Sequence, residues 1–218
     1  MDLTQFTPSS ALLTVVALAL APFVAVMVTS FTKIVVVLSL LRNALGLQQV
    51  PPNVVLNGLA LVLSLYVMYP VGSEMAARVQ AVPEAAAGST QGLLKAAESA
   101  KEPLREFLIR HSRPLERAFF LKTAQKALKP EQAAALSERD FLVVVPAFTV
   151  SELAVAFEIG FLIFLPFLVI DLVISNVLMA MGMMMLSPTT VSMPFKLLLF
   201  VLIDGWVKLT HGLVLTYA

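Results

Sequence analysis

The chain of 218 residues is unusually apolar, since 59% of its residues are hydrophobic, 13% are charged and the mean hydropathy is +0.89. Soluble globular domains carry about 25% charged residues, so this composition is that of a membrane-class chain. The net charge of +1 argues against nucleic acid as a partner, and the lack of cysteine excludes disulfides, thiolate metal ligands and cysteine nucleophiles.

The first hydrophobic segment covers residues 3–32 and contains no charged residue. It exceeds the ~20 apolar residues that cross a hydrocarbon core, and we expect a helix that bends at Pro22. A cleaved signal peptide is the alternative. The segment is preceded by Asp2 rather than by basic residues, so we expect it to be retained.

The helix is expected to continue past Lys33 and Arg42 to Gly46, because glycine is a favoured residue just after a helix. Pro51 and Pro52 then predict a turn. Basic residues in short connections face the cytoplasm, so this connection is predicted to be cytoplasmic. Lys196, beside a later short connection, agrees with that orientation.

A second hydrophobic helix is predicted over residues 54–69, ended by Pro70 and Gly72. Together with the first it makes an N-terminal hydrophobic hairpin, which we assign to residues 1–72. Its connection carries the basic residues described above.

Residues 73–140 differ from the rest, because they hold 11 of the 15 Lys and Arg residues and 9 of the 14 Asp and Glu residues. Apolar residues recur there at helical spacing, as in Leu104, Phe107 and Leu108. The segment is predicted to be a small, hydrophilic, helical insertion on the periplasmic side, with a solvated surface rather than a ligand site. Four prolines are expected to divide it into short helices: Pro83, Pro103, Pro114 and Pro130.

The last apolar part, residues 141–218, is predicted to form a C-terminal hydrophobic hairpin. Ser137 and Asp140 have the spacing of a capping box, so a helix is expected to begin there. A single helix over residues 141–186 would be about 69 Å long, over twice the ~30 Å of a hydrocarbon core. We expect it to break, tilt or leave the membrane, with Pro146 and Pro166 as the places for a break. The whole chain is therefore predicted to be all-α, with about four long hydrophobic helices.

Charged residues within the hydrophobic helices must face protein or water, since exposure to lipid costs about 2.5–3.5 kcal/mol each. One interpretation is that they form ion pairs between helices or between subunits, and the other is a proton or ion relay. The acids lie on several helical faces, which favours the first interpretation. The candidate inter-helix or inter-subunit charges are Lys33, Glu152, Glu158, Asp171, Lys196, Asp204 and Lys208.

Methionine is concentrated between Met179 and Met185, where five of seven residues are methionine. The side chain is flexible and polarizable, so the run predicts either a filled helix core or a deformable apolar collar at a hairpin tip. The phosphate-binding, nucleophile-elbow and zinc-protease motifs are missing from the sequence. His111 and His211 are too far apart to suggest a metal site. We therefore expect no enzyme activity, cofactor or metal.

Four stretches resemble the FliP/YscR family, the R-type (SctR) subunits of type III secretion and flagellar export. They are MVTSFTKIVVVLSLLRNALGLQQVPPNVVLNGLAL (residues 27–61), SERDF (137–141), PAFTVSELAVAFEIGFLIFLPFLVIDLVISNVLMAMGMMMLSP (146–188) and PFKLLLFVLIDGW (194–206). The stretches cover more than half of the chain. The N-terminus resembles the injectisome, or virulence, branch more than the flagellar branch.

The resemblance implies a core subunit of an export gate, through whose pore unfolded secretion substrates cross the bacterial inner membrane. It implies a homopentamer with the small S-type and T-type subunits, in contact with the U-type switch and V-type export gate proteins, and held largely at the periplasmic level. The family's methionine gasket corresponds to Met183, Met184 and Met185. The alternative function is a small proton- or ion-coupled transporter that uses the buried carboxylates.

Overall fold

The computed structural model describes residues 8–82 and 90–218, and all the regular secondary structure in these two ranges is helical. The predicted all-α, membrane-class fold is confirmed. Pro83 lies outside the described residues. The helices are α1 (Pro8–Met27), α2 (Phe31–Ala44), α3 (Asn53–Gln80), α4 (Thr90–His111), α5 (Pro114–Ala127), α6 (Pro130–Ala135), α7 (Phe141–Ala180), α8 (Pro188–Leu202) and α9 (Gly205–Leu215).

Helix α2 lies at the centre of the fold, packed against α3 on one side and α7 on the other. Its inward face repeats at helical spacing through Ile34, Val37, Leu38 and Leu41, all of which are buried. Insertion helices α4 and α5 pack on α3 and α7, while α8 packs on α7. The core therefore joins the two hydrophobic hairpins through α2.

The N-terminal bend lies at residues 28–30, where α1 and α2 meet at 65°. Pro22 lies inside α1, and the bend expected there stays a prediction. Pro70 likewise lies inside α3, which continues to Gln80 instead of ending there. One lost backbone hydrogen bond is outweighed in α3 by the apolar packing of Val67 and Val71 beneath α4.

The prolines of the insertion act in two ways. Pro114 and Pro130 occupy the first positions of α5 and α6, as predicted, since the missing N–H is not needed there. Pro103 lies inside α4, so the division predicted at this residue is wrong. The predicted capping pair forms in part: the backbone N–H of Ser137 donates to Asp140 Oδ2 at 2.6 Å, and the helix begins at Phe141.

Helix α7 continues for 40 residues and contains both Pro146 and Pro166, so the breaks predicted at these residues are wrong. Apolar helices tolerate proline where neighbouring helices and local adjustments satisfy the freed carbonyl groups. The chain turns instead at Gly182. Among residues 8–82 and 90–218, α3 and α7 are the two helices that are long and apolar enough to cross a membrane, and two bent pairs, within α1–α2 and α8–α9, raise the number to four.

Candidate functional site: the methionine elbow and the charged groups of the hairpins

The methionine elbow, residues 179–187, connects α7 to α8. Gly182 has a φ of 72°, a left-handed conformation that favours glycine. The N–H groups of Gly182 and Met183 donate to the carbonyl groups of Met179 and Leu178 at 3.0 and 2.9 Å, which is the Schellman arrangement. Gly46 ends α2 in the same way, with a φ of 78°, which confirms its predicted capping position. The elbow is thus a defined turn.

The methionines of the elbow point away from the core of their own chain. The exposed fractions of Met183, Met184 and Met185 are 46%, 83% and 101%. Gap-filling within the chain, which is the usual place of methionine, therefore does not explain this run. Their role as a pore gasket stays a prediction.

An ion pair lies beneath the elbow and connects three helices. Lys196 Nζ of α8 lies 2.6 Å from Asp171 Oδ2 of α7 and donates to the carbonyl oxygen of Ala44 at 3.2 Å. That carbonyl belongs to the last turn of α2, where a cation is favourable. The hydroxyl of Ser192 donates to Asp171 Oδ1 at 2.5 Å, so both carboxylate oxygens of Asp171 have a polar partner.

A second ion pair lies deeper between the two hairpins. Lys33 of α2 and Glu152 of α7 are each 2% exposed, and Lys33 Nζ lies 3.2 Å from Glu152 Oε1. Tyr217, the penultimate residue, donates its hydroxyl hydrogen to the other oxygen of Glu152. Its ring also lies 3.6 Å from Lys33 Nζ, in a cation–π contact. Sequence reasoning missed Tyr217, because no pattern near the end of the chain signals a contact with residue 152.

His111, at the end of α4, lies beside this second pair. Its ring centroid is 5.0 Å from that of Tyr217 and 4.7 Å from that of Phe107. Burial lowers the pKa of His111 to about 4, and the positive charges of Lys33 and Arg110 act in the same direction. The histidine is therefore neutral at physiological pH and belongs to the packing of the insertion.

Glu158 pairs with a residue of the insertion. Arg113, just before α5, places its guanidinium 2.6 Å from Glu158 Oε1, and both side chains are partly exposed. The backbone N–H of Arg113 donates to Ser151 Oγ at 2.9 Å. The insertion is therefore tied to α7 at two points, and sequence reasoning missed Arg113 because it lies 45 residues from its partner.

Asp204 and Lys208 are not brought together, although they are one helical turn apart. Asp204 precedes α9 with a φ of 53°, and both side chains are exposed. Within the described ranges neither side chain has an ion pair. The same ranges contain no group of three or more histidine or acidic residues that could hold a metal ion.

Residues 12–213 match the FliP family, which is nearly the whole chain. The chain belongs to the FliP family. This result confirms the family inferred from the four stretches.

Several relatives of this FliP-family chain are similar along almost their full length. The Yop proteins translocation protein R of Yersinia pestis is 56% identical over 201 residues, which are 92% of each chain. The hypersensitivity response secretion protein HrcR of Ralstonia nicotianae is 53% identical over 211 residues, or 96% of this chain and 97% of the relative. The virulence protein YscR of Salmonella typhimurium is 48% identical over 189 residues, 87% of each chain.

Proposed function

We propose that this chain is a core subunit of the type III secretion export gate. Several copies form, with partner subunits, the pore through which unfolded secretion substrates cross the bacterial inner membrane. The family and the names of its relatives, which refer to translocation and secretion, support this proposal. The observation that carries it is the methionine elbow, where Met184 and Met185 are exposed on a structured turn.

The proposed closure of the pore is a ring of elbows, one from each copy. A narrow apolar constriction excludes water and ions by dewetting, without any charged barrier. Methionine suits such a ring because its unbranched side chain can repack around a passing polypeptide and then close again. Met183, Met184 and Met185 supply these side chains in the proposal.

The assembly proposed is a homopentamer that also contains the S-type and T-type subunits and meets the U-type and V-type proteins. This assembly is supported by the apolar surface that the single chain leaves uncovered. In the most apolar 18-residue stretch of α7, 17% of the residues are buried, so most of this stretch needs lipid or protein neighbours. We place the complex at the inner membrane and largely at the periplasmic level, where neighbouring protein would cover these helices.

The alternative of a proton- or ion-coupled transporter rests on Glu152 and Asp171. Each carboxylate has a lysine nitrogen within 3.2 Å and a hydroxyl group on its other oxygen. Both carboxylates are therefore held in ion pairs between helices. This environment favours the export gate over a transporter that uses them.

Ion leakage of the purified complex, reconstituted with its partner subunits in liposomes, tests the gasket. Replacing Met183, Met184 and Met185 together with alanine should raise conductance several-fold at equal amounts of oligomer. The matched control replaces the same three residues with leucine, which keeps the apolar bulk and should leave conductance close to wild type. Equal conductance of the alanine variant and wild type would remove the gasket role. Proton-coupled uptake by the chain alone would favour the transporter.

A further inference from the structure

The charged groups of the hydrophobic helices divide into two sets. Glu152, Glu158 and Asp171 each have a basic partner within their own chain, at 3.2, 2.6 and 2.6 Å. Asp204 and Lys208 have exposed side chains and, among residues 8–82 and 90–218, no ion-pair partner. The second set therefore lacks the neutralisation that the fold gives to the first.

The surroundings of Asp204 and Lys208 are apolar and uncovered. Leu202, Trp206 and Val207 are 72%, 38% and 52% exposed on the same bent pair of helices. An unpaired charge on such a surface is costly when the surface is covered by lipid or by an apolar helix. A covering surface that supplies a charge of opposite sign removes this cost.

The backbone explains why the two residues do not neutralise each other. The chain bends by 62° between α8 and α9, and Asp204 occupies this bend in the left-handed conformation. Its carbonyl oxygen accepts the N–H of Lys208 at 3.1 Å, as in an ordinary helix, but the side chains of the two residues form no ion pair. In a continuous helix, side chains spaced i,i+4 would lie together.

Lys208 lies between two shallow grooves and lines both of them. One groove, of about 380 Å³, is formed by α7 and α9 and includes Ile159 and Leu213. The other, of about 510 Å³, extends toward α8 and includes Phe167 and Phe200. The side chains that line both are almost all apolar, so the shape and chemistry fit an apolar helix that carries one carboxylate.

We propose that this helix is the α8–α9 segment of an adjacent copy, whose Asp204 pairs with Lys208 of this chain. The segment is apolar and presents a free carboxylate one turn from a free ammonium group, so it is complementary to itself in charge. The proposal rests on the proposed function, since it requires a homo-oligomer. It adds the surface through which neighbouring copies recognise each other.

The contact is directional, because Asp204 of one copy meets Lys208 of the next and not the reverse. Head-to-tail contacts of this kind arrange the subunits in a closed ring or in an open helical assembly. The two positions are one helical turn apart, which is about 5.4 Å along the helix axis. Two adjacent parallel copies therefore bring Asp204 of one to Lys208 of the other when one copy is displaced along the axis by about 5.4 Å. A smaller displacement is sufficient because the lysine side chain is long.

Cysteine cross-linking tests the contact directly, because the chain contains no cysteine of its own. In the co-expressed complex, a D204C/K208C variant should form, under oxidation, a ladder of disulfide-linked multimers of the chain. Each single variant lacks one half of the pair and should give much less. A D204C/K208C product that remains monomeric, or that links only to a subunit of different mass, would overturn the proposal.

Exchanging the charges of Asp204 and Lys208 distinguishes an ion pair between two copies from an ion pair within a single chain. Asp204→Lys and Lys208→Asp should each reduce recovery of the oligomer about tenfold or more, and the double variant should restore it. Co-expression of the two single variants should also restore part of the assembly, which a pair within one chain would not allow. Unaffected recovery in both single variants would contradict the proposal.

The pair formed by Glu74 and Arg78 provides the matched control, since it has the same spacing and is already closed within α3 at 2.6 Å. Reversing either charge there should leave recovery of the oligomer unchanged. If the complex contains one copy of the chain, this inference and the proposed homo-oligomer fail together. If the gasket variant leaks but Asp204 and Lys208 tolerate reversal, only this inference fails.

Discussion

Lys196 and Asp171 form an ion pair that holds the base of the methionine elbow to the first hairpin. Their 2.6 Å contact joins α8 to α7, and the 3.2 Å hydrogen bond from Lys196 to Ala44 adds the end of α2. The side chain of Lys196 is 4% exposed, whereas that of Asp171 is 25% exposed. Water therefore reaches one partner and not the other, and this asymmetry has measurable consequences.

Removing Asp171 should cost more than removing Lys196. Asp171→Asn leaves a buried ammonium group without its counter-charge, and we expect a loss of about 3–5 kcal/mol in the free energy of unfolding. Lys196→Met leaves a carboxylate that water can solvate in part, so its loss should be smaller. Denaturant unfolding of the purified chain in detergent measures both.

Lys101→Met is the control for this pair, because it removes an exposed lysine that pairs with Glu98 at 2.8 Å in the insertion. We expect its unfolding free energy to lie within about 0.5 kcal/mol of wild type, as exposed pairs contribute little. The opposite order of the two elbow variants would show that burial of Lys196 is not the dominant effect.

Tyr217→Phe tests the hydroxyl group that completes the second ion pair. The ring can still cover Lys33, but Glu152 loses a hydrogen bond to a buried charge, which is worth about 1.5–3 kcal/mol. A reduced thermal midpoint, relative to wild type, is the expected result. Tyr66→Phe serves as the control, because Tyr66 is 71% exposed. Equal midpoints for the two variants would assign no stabilising role to the Tyr217 hydroxyl.

The stability of the insertion should depend on His111 between about pH 6.5 and about pH 4. Burial, with Lys33 and Arg110, lowers its pKa from 6.5 to about 4 in the folded chain. As pH falls through this window, the unfolded chain takes up a proton that the folded chain does not, so the free energy of unfolding decreases.

His111→Gln should remove that part of the pH dependence, measured as the thermal midpoint against pH. A slope that persists unchanged in His111→Gln would assign the pH dependence to other groups.

Features that depend on neighbouring residues could be predicted from the sequence. Gly46 ends a helix because the hydrogen bonds of the helix end require a residue in the left-handed conformation, which glycine adopts readily. Pro114 and Pro130 begin helices because the first turn needs no N–H from them. The family could be recognised because long stretches match. The exposure of the methionines could not, since it depends on where α8 packs.

The sequence rules failed where packing in an apolar setting outweighs a local preference. Internal prolines were expected to break or end helices, but the cost of one hydrogen bond is small beside the packing of a long helix on its neighbours. The prolines that lie within helices against that expectation are Pro70, Pro103, Pro146 and Pro166. The partners Arg113 and Tyr217 were missed for a related reason: they meet their carboxylates across 45 and 65 residues of chain.

The close approach of α2 and α7 depends on Gly160, where a side chain would have no room. A Cβ at this position would overlap Leu40 Cδ1 and come within 3.1 Å of Leu40 Cβ, so rotation of the leucine tip alone cannot relieve the contact. Gly160→Ala should therefore cost about 1–3 kcal/mol in the free energy of unfolding. In Gly58→Ala the new methyl group meets open space within α3, and alanine is the better helix former, so stability should rise by up to about 1 kcal/mol. Stabilisation by Gly160→Ala as well would show that the two helices can separate without loss and that this contact does not set their distance.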